Sequence, residues 1–137
     1  MRTGLPLASA SIVAAALSAL VACGGSSSNN NGPSPTTGCT ASSTSMTITI
    51  SNNAVCPQNI TVPRGTQVTF VNQDGRAHEM NSDPHPEHTD CTELNQVGHL
   101  ENGQSRQSGN LNTARRCGFH DHLNPLTAGL KGSITIQ

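Results

Sequence analysis

The stretch Ile60-Thr61-Val62-Pro63-Arg64-Gly65-Thr66-Gln67-Val68-Thr69-Phe70-Val71-Asn72 decides the fold of this chain. Apolar and polar residues alternate on both sides of Pro63-Arg64-Gly65, which is the pattern of two half-buried β-strands joined by a turn. Pro63 has no amide hydrogen to donate to a sheet, so it closes the first strand. The stretch therefore predicts strands over 59–62 and 67–71.

Further strands with the same alternation lie on either side of this pair. Residues 46–50 precede it, a segment within 111–122 follows it, and 132–136 closes the chain. The best helical candidate is one short turn near 92–96. Many short strands within about 100 residues predict an all-β fold, an antiparallel β-sandwich.

The composition of the 137-residue chain argues against one broad class of function. Seven Lys and Arg stand against eight Asp and Glu, which gives a formal net charge of −1, and Phe70 and Phe119 are the only aromatic residues. Binding phosphates needs a basic excess and stacking on bases needs aromatic surface, so we expect no nucleic-acid partner. A core with two aromatic side chains is thin, so we expect covalent bracing.

Residues 1–22 predict a lipoprotein signal peptide. Arg2 precedes an apolar run of small residues that ends in Leu20-Val21-Ala22-Cys23. This ending resembles the lipobox of bacterial lipoproteins, in which the Cys becomes the lipidated first residue; an ordinary signal peptide is the alternative. We expect an exported protein of the bacterial cell envelope, anchored through a lipid on Cys23 at the periplasmic or cell-surface face.

Residues 23–38 predict a flexible tether. They are mainly Gly, Ser, Asn, Pro and Thr, and no apolar face is available for burial. We therefore expect a disordered linker between the lipidated Cys23 and a folded domain that spans 39–137.

Four cysteines remain in the domain, namely Cys39, Cys56, Cys91 and Cys117. In an exported domain they allow three disulfide pairings. We favour Cys39–Cys56, which ties the first strand to the following loop, and Cys91–Cys117, which ties a histidine-rich loop to a late strand. Each bond contributes about 2–4 kcal/mol of stability. The alternative is that one or more of these thiols binds a metal.

Five of the six histidines predict a metal site. On a strand, residues i and i+2 face the same side, so His120 and His122 present two imidazoles to one point. His85 and His88 lie in a loop in which two prolines reduce the entropy lost on ordering. Imidazole suits copper, zinc and nickel. The predicted ligands are His78, His85, His88, His120 and His122.

Two carboxylates and one further histidine complete this region. Asp83 and Asp121 are placed to orient an imidazole by accepting its second N–H. His99 has no such neighbourhood in the sequence, so we expect it to be a surface residue.

The stretch 60–72, followed by His78, resembles the first half of a cupredoxin. In that family a Val-Pro-x-Gly turn joins two strands, and a histidine after the second strand is the first copper ligand. The segments 100–105 and 132–136 are similar to the later Gly-Gln segment and the closing strand. The resemblance covers about residues 45–137 and implies a Greek-key β-sandwich with a copper site at one end.

The chain departs from this family at the copper ligands. The cupredoxin pattern Tyr-His-Cys-x-x-His-Pro aligns with 119–125, which puts Asp121 at the thiolate position and Asn124 at the second histidine position. An alternative register uses Cys117 as the thiolate and His120 as the next ligand, but it leaves another exported thiol unpaired. No Met follows Cys117, so the usual axial ligand is absent from both registers.

Two longer motifs resemble a group of exported cupredoxin-like proteins. Ser82-Asp83-Pro84-His85-Pro86-Glu87-His88 is similar to its histidine loop, and Phe119-His120-Asp121-His122-Leu123-Asn124-Pro125 is similar to its Tyr-His-Asp-His-Leu-Asn-Pro ending. Without thiolate and Met ligands, the histidines predict a non-blue, type 2-like copper site. The expected function is copper sequestration, delivery or resistance, with a copper-handling protein as a further partner.

Three other functions stay open on the sequence. Gly118-Phe119-His120-Asp121-His122 is similar to a segment of copper-zinc superoxide dismutases, although there it comes early in the chain. A type 1 electron carrier would use Cys117, and a structural envelope domain would carry its histidines incidentally. A metal-binding protein is preferred over a copper-dependent oxidoreductase.

Overall fold

The computed structural model describes residues 39–137. The predicted signal peptide, lipidation site and tether lie outside the described residues. Within 39–137 the chain forms nine strands and two 3₁₀ turns, Thr92–Gln96 and Ala128–Leu130. The strands are β1 (Thr47–Ser51), β2 (Ala54–Cys56), β3 (Asn59–Val62), β4 (Thr69–Asn72), β5 (His78–Ser82), β6 (Gly98–Leu100), β7 (Ser105–Gln107), β8 (Arg115–Asp121) and β9 (Lys131–Ile136). No helix in this part of the chain is long and apolar enough to cross a membrane.

The strands form the two layers of a β-sandwich, which confirms the predicted fold class. One sheet has the order β2-β1-β4-β7 and the other the order β3-β9-β8-β5-β6. Phe70 from the first sheet meets Phe119 from the second edge to face, with ring centroids 5.3 Å apart. The alternating apolar residues of both sheets fill the space around them, including the fully buried Ile48, Ile50 and Ile134.

Both sheets are mixed, whereas the sequence predicted purely antiparallel pairing. β1 and β4 run parallel in one sheet, and β3 and β9 run parallel in the other. The physical reason is the connection: after β2 the chain crosses to the second sheet for β3 and then returns to lay β4 beside β1. Such a crossover is what parallel neighbours require.

Two disulfides brace this thin core. Cys39 is bonded to Cys56 and Cys91 to Cys117, which are the two pairs that the sequence favoured. Cys91 and Cys117 are fully buried. Because Cys117 lies within β8, the second disulfide fixes the end of the loop 83–90 against the centre of the five-stranded sheet.

Candidate metal centre

Four of the five predicted ligands meet at one end of the five-stranded sheet. His85 and His88 come from the loop 83–90 that follows β5, His120 lies in β8, and His122 follows that strand. One ring nitrogen from each of the four lies within 4.8 Å of every other. We call this group the histidine cluster.

The end of β8 provides two of the four rings. His120 is paired with Asn81 of the neighbouring β5, and the main-chain N–H of His122 donates to the carbonyl of Glu79 at 2.6 Å. Strand alternation therefore continues past the end of β8, so the rings of His120 and His122 face the cluster while the intervening Asp121 faces the other way.

The loop 83–90 provides the other two rings and is tied by its main chain. The N–H of His88 donates to the carbonyl of Pro84 at 2.7 Å, and the N–H of Asp90 donates to that of Asp83 at 2.8 Å. The side chain of Asn95 donates to the carbonyl of His88 at 2.9 Å. His88 has a φ of 54°, in the left-handed region that few non-glycine residues adopt. The surrounding bonds hold His88 in this conformation.

His120 has the surroundings of a metal ligand. Its ring is buried, and its Nδ1–H donates to Oδ1 of Asp83 at 2.6 Å. Its Nε2 is buried and has no hydrogen-bond partner among residues 39–137. Buried polar atoms are nearly always paired, and metal-binding histidines typically donate their other N–H to a carboxylate. Nε2 of His120 is therefore the nitrogen available to a metal, and Asp83 orients a ring as predicted.

The remaining geometry fits an imidazole-bound metal. Nδ1 of His122 lies 3.1 Å from Nε2 of His88. Metal–nitrogen bonds of about 2.0–2.1 Å place two ligand atoms no more than about 4.2 Å apart, so the widest pair must close by less than 1 Å. Burial, and then the charges that His120, His122 and His85 would carry, lower the pKa of His88. A lowered pKa favours the neutral ring, which is the form that binds metals.

The structure does not bring His78 to the cluster. Its fully buried ring lies between two carboxylates, with Nδ1 2.9 Å from Oδ2 of Asp121 and Nε2 3.1 Å from Oδ2 of Asp74. Both ring nitrogens therefore have a carboxylate partner. Of the five predicted ligands the structure brings four together and leaves His78 apart, and Asp121 contacts His78 and not a member of the cluster.

Asp121 is the centre of this second network. It accepts hydrogen bonds from the main-chain N–H of Glu79 at 2.9 Å, the side chain of Asn124 at 2.7 Å and the main-chain N–H of Leu123 at 3.2 Å. Burial acts to raise the pKa of Asp121, but these bonds and the one from His78 outweigh it and lower that pKa. The network therefore holds an ionised carboxylate inside the sandwich.

Three residues that support these sites were not predicted from the sequence. Asp74 contacts His78, Asn95 holds the carbonyl of His88, and Gly118 leaves room for Asp83. A Cβ at position 118 would overlap the carboxylate of Asp83. Asp74 precedes His78 by four residues, which is a usable local signal, whereas the other two contacts join distant segments and leave none.

Comparison with solved structures shows that the chain has the cupredoxin fold. A purple cupredoxin from Nitrosopumilus maritimus is 18% identical over 66% of this chain and 98% of its own, with a TM-score of 0.52. Oxidised plastocyanin from Dryopteris crassirhizoma is 22% identical over 66% of this chain and 99% of its own, with a TM-score of 0.51. A reduced mutant of amicyanin is 14% identical over 72% and 87%, with a TM-score of 0.53. No protein-family model and no curated protein matches the sequence.

The sulfur ligand of the alternative register is not available in this structure. Cys117 is fully buried and bonded to Cys91. A type 1 site needs a cysteine thiolate, and a disulfide sulfur cannot supply one. The observed donors at this end of the sandwich are therefore imidazole nitrogens.

Proposed function

We propose that the protein binds copper through His85, His88, His120 and His122 and stores or delivers it in the bacterial cell envelope. The observation that carries the proposal is the buried Nε2 of His120, which has no partner in the described part of the chain and belongs to a group of four imidazoles within 4.8 Å. The cupredoxin fold of the chain supports copper over other metals that imidazole binds, because an amicyanin variant described with Cu(I) shares this fold.

Each part of the site has a distinct task in this proposal. His120 in β8 and His122 just after that strand form one half of the site, and the loop 83–90 brings His88 and His85 against them. Asp83 fixes the tautomer of His120 by accepting its Nδ1–H, which leaves Nε2 as the metal donor. With nitrogen donors, a bound copper ion would have a weak visible spectrum, and copper here is cargo that the protein carries.

The proposed location follows from the sequence. A lipid on Cys23 would anchor the protein to a membrane, and the segment 24–38 would hold the domain away from the surface. The two disulfides of the domain agree with an oxidising compartment. The expected partners are the copper ion and a copper-handling protein of the same compartment.

The decisive experiment is a titration of the purified protein with Cu(II), followed by visible and EPR spectroscopy. We expect one tightly bound equivalent, a weak d–d band, and a wide copper hyperfine splitting with nitrogen superhyperfine structure. An intense band near 600 nm would instead show a Cu–thiolate bond and overturn the proposal. Protein concentration needs an assay other than absorbance at 280 nm, because the chain has no Trp or Tyr.

A competition with Zn(II) separates copper from the other metal that this donor set suits. Imidazole sites bind Cu(II) more tightly than Zn(II) in general. We expect equimolar Zn(II) to leave the Cu(II) EPR signal of the loaded protein unchanged. Displacement of copper by equimolar zinc would make the site a zinc site.

A further inference from the structure

Three of the four histidines in the cluster are held by hydrogen bonds before any metal binds. The ring of His120 donates to Asp83, and the rings of His88 and His122 contact each other at 3.1 Å. The main chains of these residues are also fixed: His120 by the pairing of β8, His122 by the carbonyl of Glu79, and His88 by Pro84 and Asn95.

His85 lacks the hydrogen bonds that hold the other three histidines. Its side chain is exposed, and within residues 39–137 it makes no hydrogen bond from its main chain or its ring. It reaches the cluster through ring packing alone, with its centroid 4.8 Å from that of His122, 5.4 Å from that of His120 and 5.8 Å from that of His88. His85 thus lies over the solvent side of an otherwise fixed group.

We propose that His85 is the exchangeable ligand of the site and that its place can be taken by an imidazole-type nitrogen donor from outside the chain. The inference rests on the proposed copper function and adds the route by which the cargo enters and leaves. A ring held by no other bond loses its rotational freedom when it binds a metal, whereas the three fixed rings have already lost theirs. Of the four metal–imidazole bonds, the bond to His85 is therefore the weakest.

The same asymmetry sets the direction from which an acceptor must approach. His120 is buried and His88 and His122 are half-buried, so the exposed side of the cluster is the side that His85 covers. A copper acceptor that offers an imidazole replaces His85 first, while the other three nitrogens still hold the ion. Copper then passes between proteins without being released into solution.

The test compares two single substitutions with a matched control. His85→Ala removes the proposed exchangeable ligand, and His122→Ala removes a fixed one that is only half-buried. His99→Ala is the control, because the ring of His99 is exposed and bonds to Glu101, outside the cluster. Each purified variant is titrated with Cu(II) against a competing chelator, and the EPR spectrum of the loaded protein is recorded with and without added free imidazole.

We expect His85→Ala to bind one Cu(II) with an affinity loss of about tenfold, the lower end of the range for groups that support a metal site. Free imidazole should restore its wild-type EPR spectrum, and copper transfer to the chelator should be faster than from the wild type. His122→Ala should lose more affinity, and free imidazole should not restore it. His99→Ala should behave as wild type.

Two results would overturn the inference while leaving the proposed function intact. One is an affinity loss in His85→Ala as large as that in His122→Ala. The other is an EPR spectrum of copper-loaded His85→Ala that free imidazole does not change. Failure of the wild-type protein itself to bind Cu(II) would overturn the proposed function instead, so the two failures are distinguishable. Far-UV circular dichroism checks that each variant is folded.

Discussion

Two buried histidines at the same end of the sandwich have opposite chemical roles. His78 lies between two carboxylates, and each of its ring nitrogens has a partner. Among the residues that the structure describes, His120 has a single carboxylate partner on Nδ1, and its Nε2 has no partner. Within residues 39–137 the second carboxylate leaves both ring nitrogens of His78 paired, whereas His120 keeps one nitrogen that could accept a metal.

The comparison also explains how this chain departs from the cupredoxins that it resembles. The resemblance puts the first copper ligand at His78 and replaces a thiolate by Asp121 and a histidine by Asn124. In the structure Asp121 links the other two residues, since its carboxylate accepts from both His78 and Asn124. A hydrogen-bonded network thus occupies those positions, and two of the four candidate metal ligands come from the loop 83–90 instead.

The largest effect is expected from removing each of the two buried histidines in turn. His120→Ala should lower copper affinity by more than about 100-fold, the upper end of what supporting groups cost, because it removes a ligand itself. His78→Ala should leave copper binding of the folded protein intact but lower the free energy of unfolding by about 1.5–3 kcal/mol, since it removes a hydrogen bond to a buried, ionised carboxylate. Copper titration and urea unfolding measure the two effects.

A variant at an exposed histidine is the control for both measurements. His99→Ala, at an exposed histidine, should change neither quantity. If His78→Ala binds copper as weakly as His120→Ala does while still folded, then His78 is a ligand and the proposed set of four is wrong.

The two disulfides provide a second test of which parts of the domain support the site. Replacing Cys91 and Cys117 together by Ala should lower the free energy of unfolding by about 3–4 kcal/mol, the value for a loop near the observed separation of 26 residues. It should also weaken copper binding, because it frees one end of the loop 83–90. The double replacement of Cys39 and Cys56 should cost stability only. Equal copper affinities in the two double variants would show that the loop does not need its disulfide.

Gly118→Ala tests the support of His120 by Asp83. A Cβ at this position would push the carboxylate of Asp83 away from the ring of His120. We expect copper affinity to fall by about 10–100-fold, the usual effect of losing a group that orients a ligand. Gly75→Ala is the matched control, because a Cβ there meets no atom within 4 Å. Isothermal titration with Cu(II) measures both, and similar affinities in the two variants would contradict the role of Asp83.

The smallest effect is expected on the free energy of unfolding, from the carboxylate of Asp74 that contacts His78. Burial acts to raise the pKa of Asp74, but hydrogen bonds from Asn53, Gly75 and His78 outweigh it and lower that pKa. A carboxylate whose pKa is lowered on folding stabilises the folded state at pH values above its unfolded-state pKa of about 3.9. This contribution is lost as the pH falls through the lower, folded-state pKa. The free energy of unfolding of the wild type should therefore decrease when the pH is lowered below about 4.

Asp74→Asn removes that contribution. The variant should be less stable than wild type at pH 7, and the difference should shrink as the pH is lowered below about 4, in urea unfolding at both pH values. Glu101→Gln, at an exposed carboxylate, is the control. A stability difference that does not depend on pH would show that Asp74 acts without its charge.

Much of the fold was predictable because it depends on local alternation. The predicted strand 59–62 coincides with β3, and 132–136 lies within β9. β5 was not predicted, because its inward positions include His78 and Ser82, so the apolar period of two is missing. The two parallel strand pairs were also not predicted. The relative direction of two neighbouring strands depends on where the chain crosses between the sheets and not on the residues of either strand.

The sequence by itself determined which residues carry the chemistry. Strand alternation placed His120 and His122 on one face, the even number of cysteines in the domain allowed two disulfides, and the prolines marked the histidine loop. Only the tertiary structure decided that His78 stands apart and that Asp83 serves His120. Those roles depend on the register between β5 and β8, where a slip of one residue would turn every side chain to the opposite face. No pattern within either strand fixes that register, because it is set by packing across the whole sandwich.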